Sequence, residues 1–195
     1  MESMNSLVEF IGKAAGPGIA IYSAKLENSG DGYHITVEID GLESPTGAVT
    51  LEDCEVFSQS LTKIIDEAVE SKTLVENGLP PDVTVDNYSM EVGSAGAERL
   101  LRLPGDLIRF QGQPVRLTCD LDGKKETFLA IFLKAESDRL VFRPFVPRFR
   151  RKKKKGAAAF PAGRKASPED AKGVLRDAYW LKESEIARAN LYLDF

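Results

Sequence analysis

The sequence predicts an α+β protein of two small domains. An N-terminal α-β-β-α-β unit, a small sheet covered by helices, precedes a C-terminal small β-barrel of the Sm-like or SH3-like kind that carries a basic insertion. Three observations predict this. Tyr33 to Asp40 alternates apolar and polar residues with a period of two and lies between two helical patterns. Short strand patterns joined by tight turns crowd the stretch from Pro114 to Arg143. Both patterning and charge change after Leu103, which places the domains at 1–103 and 104–195 with the insertion at about 145–178. A chain of 195 residues with 43% apolar content suffices for two such cores.

The elements follow in order. Met4 to Ala15 reads as a helix with Leu7, Val8, Phe10 and Ile11 on its apolar side, ended by Gly16-Pro17-Gly18. Ile19 to Glu27 and Tyr33 to Asp40 read as an antiparallel hairpin around the turn residues of 28–32. Thr50 to Ala68 is the clearest helix. Thr50 suits its N-cap, Glu52, Asp53 and Glu55 complement its dipole, and Leu51, Cys54, Phe57, Leu61 and Ile65 share one face. Tyr88 to Val92 supplies a third strand.

In the second half, Leu107, Ile108 and Phe110 suggest one helical turn. Strands are expected at 114–121, 125–135 and 139–143, with Asp122-Gly123 suited to a type I′ hairpin, and a last strand at 190–195. Ser167 and Pro168 open a further helix that extends toward Trp180, and Trp180 anchors the return into the barrel.

The net charge of −4 conceals an asymmetry. Residues 1–103 hold 6 Lys/Arg against 18 Asp/Glu, a balance of −12; residues 143–176 hold 12 against 2, a balance of +10. Seven of the eight residues from Arg148 to Lys155 are basic: Arg148, Arg150, Arg151, Lys152, Lys153, Lys154 and Lys155. With Arg164 and Lys165 they form the expected RNA-binding element, and Phe149 and Phe160 offer rings for unpaired bases. Such a run repels itself and buries no core, so disorder is expected there. A solvated loop or a guard against edge aggregation is the alternative reading.

The chemistry of catalysis finds no foothold. Cys54 and Cys119 lie far apart without metal-ligand spacing, which also suits a reducing cytoplasm. His34 is the single histidine and sits on the outward phase of a strand. No nucleophile elbow, phosphate loop or dinucleotide fingerprint is present. The expectation is no enzyme, no cofactor and no metal. No apolar run is long enough to span a membrane, and Glu2 and Glu9 break any signal-peptide pattern.

Several motifs, in order, carry a resemblance. Ala48-Val49-Thr50-Leu51-Glu52-Asp53-Cys54 opens the main helix, and Met90-Glu91-Val92-Gly93-Ser94-Ala95-Gly96-Ala97-Glu98-Arg99-Leu100 forms a strand and loop. Asp106-Leu107-Ile108-Arg109-Phe110-Gln111-Gly112 follows, and Glu183-Ser184-Glu185-Ile186-Ala187-Arg188-Ala189-Asn190-Leu191 ends the series. Together these resemble the bacterial RimP family of ribosome maturation factors across most of the chain outside the insertion. The resemblance implies an α/β N-terminal domain and a C-terminal Sm-like barrel; a monomeric, cytoplasmic protein is expected. It also implies binding to the free, immature 30S subunit, assistance to 16S rRNA folding, and ribosomal protein S12 as a partner of the C-terminal domain. Ala95 stands where the family has proline, and the basic insertion is unusual for the family.

Gly93, Ser94, Gly96, Glu98 and Arg99 make up the family motif loop. Its GxxG spacing is that of KH loops on an RNA backbone, yet it follows a strand where a KH loop joins two helices. A tight turn with glycines at positive φ is the competing reading. The rival functions are a general RNA chaperone built on an Sm-like barrel, acting on mRNA or small RNA, and a hydrolase with a site between the domains.

Overall fold

The structure, a computed structural model, describes residues 2–121, 123–147 and 178–193. It is a mixed α+β protein with two compact units, Met1–Gly96 and Ala97–Phe195, each built on its own apolar core.

The first unit runs α1 (Glu2–Gly12), β1 (Ile19–Asn28), β2 (Tyr33–Gly41), α2 (Leu51–Ser71) and β3 (Tyr88–Ser94). Its sheet has the order β1-β2-β3, with β1 and β2 antiparallel and β2 and β3 parallel. A parallel neighbour requires a crossover, and α2 supplies it. The alternation in β2 decides which face is covered. Ile35, Val37 and Ile39 are fully buried in one cluster with Leu7, Phe10 and Ile11 of α1 and Phe57, Leu61 and Ile65 of α2. Both helices therefore lie on that face. His34, Thr36 and Glu38 take the opposite one.

Helix α2 starts where the sequence places it. The Thr50 side chain accepts from the Asp53 N–H at 3.1 Å, and the Thr50 N–H donates to Asp53 Oδ2 at 2.7 Å, a reciprocal capping box. At the other end Lys72 adopts φ 58°. Gly32 meets a stricter demand: its φ is 149°, and a Cβ there would collide with the Asn87 carbonyl oxygen. That same carbonyl accepts the Tyr33 N–H at 2.8 Å, which fixes the start of β2.

The second unit runs α3 (Gly105–Arg109), β4 (Pro114–Leu121), β5 (Lys124–Glu136), β6 (Arg139–Pro144), β7 (Tyr179–Lys182), a 3-10 turn (Glu183–Glu185) and β8 (Ile186–Leu191). The sheet is antiparallel throughout in the order β7-β6-β5-β4-β8. Val115, Leu117, Cys119, Phe132, Phe142 and Leu181 fill its inner side. Residues 99–101 join the β8 side: Leu101 N–H donates to Ala189 O at 2.8 Å and Leu191 N–H to Arg99 O at 3.0 Å.

Three expectations are corrected. Among the described residues no closed barrel is seen, because β7 and β8 end the hydrogen-bonded order without pairing to each other. Trp180 lies in strand β7 and not at the end of a helix. The last strand is Ile186–Leu191, earlier than 190–195, because Ile186, Ala189 and Leu191 are the buried positions and Leu193 is only half-buried. The proposed cap at Ser167 and Pro168 and the turn residue Asp122 lie outside the described residues.

Two measurements check these local constraints. Gly32→Ala should cost about 1–3 kcal/mol in urea unfolding, the usual scale of forced backbone strain. The Asp53 carboxyl is held below its ordinary value, first by the Thr50 backbone N–H and then by the Thr50 hydroxyl. A carboxyl lowered by folding stabilises the fold fully above its unfolded value of about 3.9, and that contribution fades as pH falls through the lower folded value. Acid unfolding of Asp53→Asn should therefore show a shallower loss below about pH 4 than the parent chain.

Candidate functional site

The motif loop begins at the end of β3. Ser94 closes the strand, the Ala95 N–H donates to Ile39 O at 3.1 Å, and Gly96 turns at φ 81° with its N–H on Ser94 Oγ at 3.2 Å. These contacts are those of a tight turn. Gly93 has an ordinary φ and open space around its Cβ position.

Glu98 and Arg99 take up different surroundings. Glu98 is exposed and faces Arg116 of β4, whose two terminal nitrogens approach its carboxylate at 3.2 and 3.4 Å. The Glu98 carbonyl accepts from Asn190 Nδ2 at 3.0 Å. Arg99 is buried, only 4% exposed, with its guanidinium 5.4 Å from the centre of the Phe110 ring. Its side chain is not displayed to solvent, so its influence on any surface runs through the neighbours it positions.

Arg116 belongs to a larger outward face of the second sheet. Leu117 and Cys119 point into the core, so Arg116 and Thr118 point out. Register sets Asn190 and Leu129 beside Arg116, and Arg188 and Thr127 beside Thr118. The Arg116 guanidinium lies 5.2 Å from the Tyr192 ring centre, and that ring packs edge-on to Phe145 at 6.2 Å. Sequence reasoning singled out neither ring. Each follows a strand end, where alternation no longer tells inside from outside; the pairing register is what brings them together.

The basic residues Arg148, Arg150, Arg151, Lys152, Lys153, Lys154, Lys155, Arg164 and Lys165, with Phe149 and Phe160, lie outside the described residues. Pro147, directly before Arg148, is described, and Phe145 beside it hydrogen-bonds through its N–H to Leu129 O at 3.1 Å.

The remaining candidates have structural surroundings. His34 Nδ1 pairs with Ser89 Oγ at 2.9 Å, and Nε2 lies 3.8 Å from Glu91 on the helix-free face of the first sheet. Burial pushes the Cys119 thiol up to about 12, with Glu185 and Glu126 adding to the rise, so it is a core group and not a nucleophile. Burial also raises Cys54, followed by the charge of Asp53. Among the described residues no three His, Cys, Asp or Glu side chains gather as metal ligands.

Residues 11–98 match the family model of the RimP N-terminal domain. A ribosome maturation factor RimP of Leptospira biflexa serovar Patoc (strain Patoc 1 / Ames) is 37% identical over 117 residues, 60% of this chain and 64% of that protein. The ribosome maturation factor RimP of Leptospira interrogans serovar copenhageni (strain Fiocruz L1-130) is 33% identical over 129 residues, 65% of this chain and 71% of that protein. The chain thus spans a little under two thirds of the L. biflexa relative's length.

The place of Arg99 in this arrangement has a measurable consequence. Removing a buried guanidinium from its ring should cost about 1–3 kcal/mol in chemical denaturation of Arg99→Ala. Arg99→Lys should recover only part of that, since an ammonium lacks the planar face that packs on Phe110.

Proposed function

The chain belongs to the RimP family, and from that premise we propose that it is a non-enzymatic ribosome maturation factor acting on the small subunit during assembly. The observation that carries this reading is the likeness to the L. interrogans ribosome maturation factor, which extends over 71% of that protein. In this reading the chain binds the free, immature 30S particle in the cytoplasm as a monomer. It favours a conformation of 16S rRNA that S12 can join, and it leaves once the mature conformation forms. A factor of this kind shifts an equilibrium only by the difference in its affinity for the two states.

Several features of the chain support the reading. Among the described residues no helix is long and apolar enough to cross a membrane. The order β8-β4-β5-β6-β7, preceded by the short helix α3, supports an Sm-like reading of the second unit in which closure is incomplete. The basic run supplies the electrostatic grip, seven cationic side chains in eight positions, and binds without regard to base sequence. The motif loop from Gly93 to Arg99 sets the position of Glu98 and through it Arg116.

Gradient sedimentation of cell extract tests the assignment. The chain should migrate with free 30S subunits and be absent from assembled 70S ribosomes. Spread through the RNA-rich top of the gradient would favour a general RNA chaperone instead. In a purified system, log affinity should fall with log salt by about 0.7–0.9 per phosphate engaged. Deleting 148–155 should reduce that slope; an unchanged slope and affinity would remove the basic run from the interface.

A further inference from the structure

We propose that Arg116, Tyr192 and Phe145 form a stacking platform for an unpaired base of single-stranded RNA, with Arg188 placed to take an adjacent phosphate. The proposal rests on the ribosomal reading above and assigns to it a site on the outward face of the second sheet.

The register shows how unusual the arrangement is. Tyr192 N–H donates to Pro114 O at 2.9 Å, on the β8 side of β4, while Phe145 continues β6 beside Leu129 of β5. Three strand spacings, about 14 Å, separate those backbone positions. The ring centres are nonetheless 6.2 Å apart. Both side chains must therefore lean inward across the sheet. Pro114 and Ile131 are paired in register between them, and Ile131 is only 5% exposed although it points away from the core. The rings form a bridge over the outer face and remain themselves half-exposed.

Arg116 extends this bridge. Its guanidinium bonds Glu98 along one edge and lies over Tyr192, and its side chain stays 39% exposed. Edge-on pairing holds the plane in place without covering its outward face. A planar cation fixed on an aromatic ring offers a base both a flat surface and a positive charge, the combination that single-strand binders use. Arg188 lies two residues from Asn190 on the same face, and its Nε–H donates to Asn190 Oδ1 at 2.9 Å. That bond orients an exposed side chain. Thr118 and Thr127, joined at 3.0 Å, add hydroxyls beside Arg188.

RNA is the occupant these groups favour. Arg116, Arg188 and Arg143 outnumber Glu98 as charged groups around the bridge, and half-exposed rings with a guanidinium over one of them match a base better than a basic protein surface.

The test uses the full chain and a fluorescein-labelled single-stranded RNA of about twelve nucleotides, within the site size of comparable folds. Fluorescence anisotropy is read at low and high salt. Tyr192→Ala and Phe145→Ala should each weaken binding roughly 5- to 100-fold, the range for loss of one base–aromatic stack. The slope of log affinity against log salt should stay at the parent value, because stacking releases no counterions. Tyr192→Phe should bind within about twofold of the parent, since the ring face is retained. Tyr192→Leu keeps bulk without a π face, and its unfolding midpoint separates a lost platform from a lost fold.

Parent-like RNA binding by folded Tyr192→Leu and Phe145→Leu overturns the platform. Weaker sedimentation with 30S subunits alongside unchanged oligonucleotide binding overturns it too, and reassigns the face to a ribosomal protein. If the parent chain fails to sediment with free subunits, the ribosomal reading falls. The oligonucleotide series still decides the platform in that case.

Discussion

The second unit depends on a short covalent link between the two outermost strands of its sheet. β7 and β8 stand at opposite ends of the order β7-β6-β5-β4-β8, yet only Glu183–Glu185 separate them in the chain. In a flat sheet four strand spacings would hold those edges about 19 Å apart. Four Cα steps reach about 13–14 Å when fully extended, and a 3-10 turn rises only about 2 Å per residue. The sheet must therefore curl, and its concave side becomes the pocket that Leu117, Phe132, Phe142 and Leu181 fill. Leu100, bridged to Asn190, covers part of the β8 edge that closure would otherwise have used. The curl leaves an open sheet because one edge already has a partner.

The outer face is the convex one, where side chains splay apart, so Phe145 and Tyr192 meet only because both rings lean back across the sheet. The first unit solves a different problem. Its parallel β2–β3 pair needs a crossover, and α2, fixed at its start by the Thr50–Asp53 capping box, returns the chain over the side that α1 also covers. One face of that sheet is dry and the other polar. The strict alternation of β2 is the record of this division in the sequence.

That record made much of the first unit legible. The β1–β2 hairpin, the extent of α2 and its cap all follow from period, cap chemistry and turn residues, which are local signals. The parallel partnership of β3 was not legible, because a seven-residue strand carries no mark of its direction. In the second unit β4, β5 and β6 were readable around their tight turns. β7 and β8 were misread for a physical reason. Their placement is set by non-local pairing, of β7 with β6 and of β8 with β4, which no local pattern in the sequence announces. The candidate site divides in the same way. Gly96 announced its turn, while the burial of Arg99 and the meeting of Arg116, Tyr192 and Phe145 depend on partners 11 to 76 residues apart in sequence, from Arg99–Phe110 to Arg116–Tyr192.

Charge distribution gives the arrangement its functional logic. A balance of −12 over the first 103 residues repels a polyanion, and screening confines that repulsion to about 8–10 Å at ordinary ionic strength. In the proposed reading an RNA contact lies where positive groups are dense, or where stacking adds a term that charge does not set. The basic run offers the first through its composition. The Arg116 face meets the second, since Glu98 offsets much of the Arg116 charge while leaving its plane available. Long-range attraction gathers the strand but cannot distinguish paired from unpaired bases; a flat surface can, because only an unstacked base exposes its face. A factor that favours one rRNA conformation over another needs that distinction, and neither the charge run nor the sheet alone would provide it.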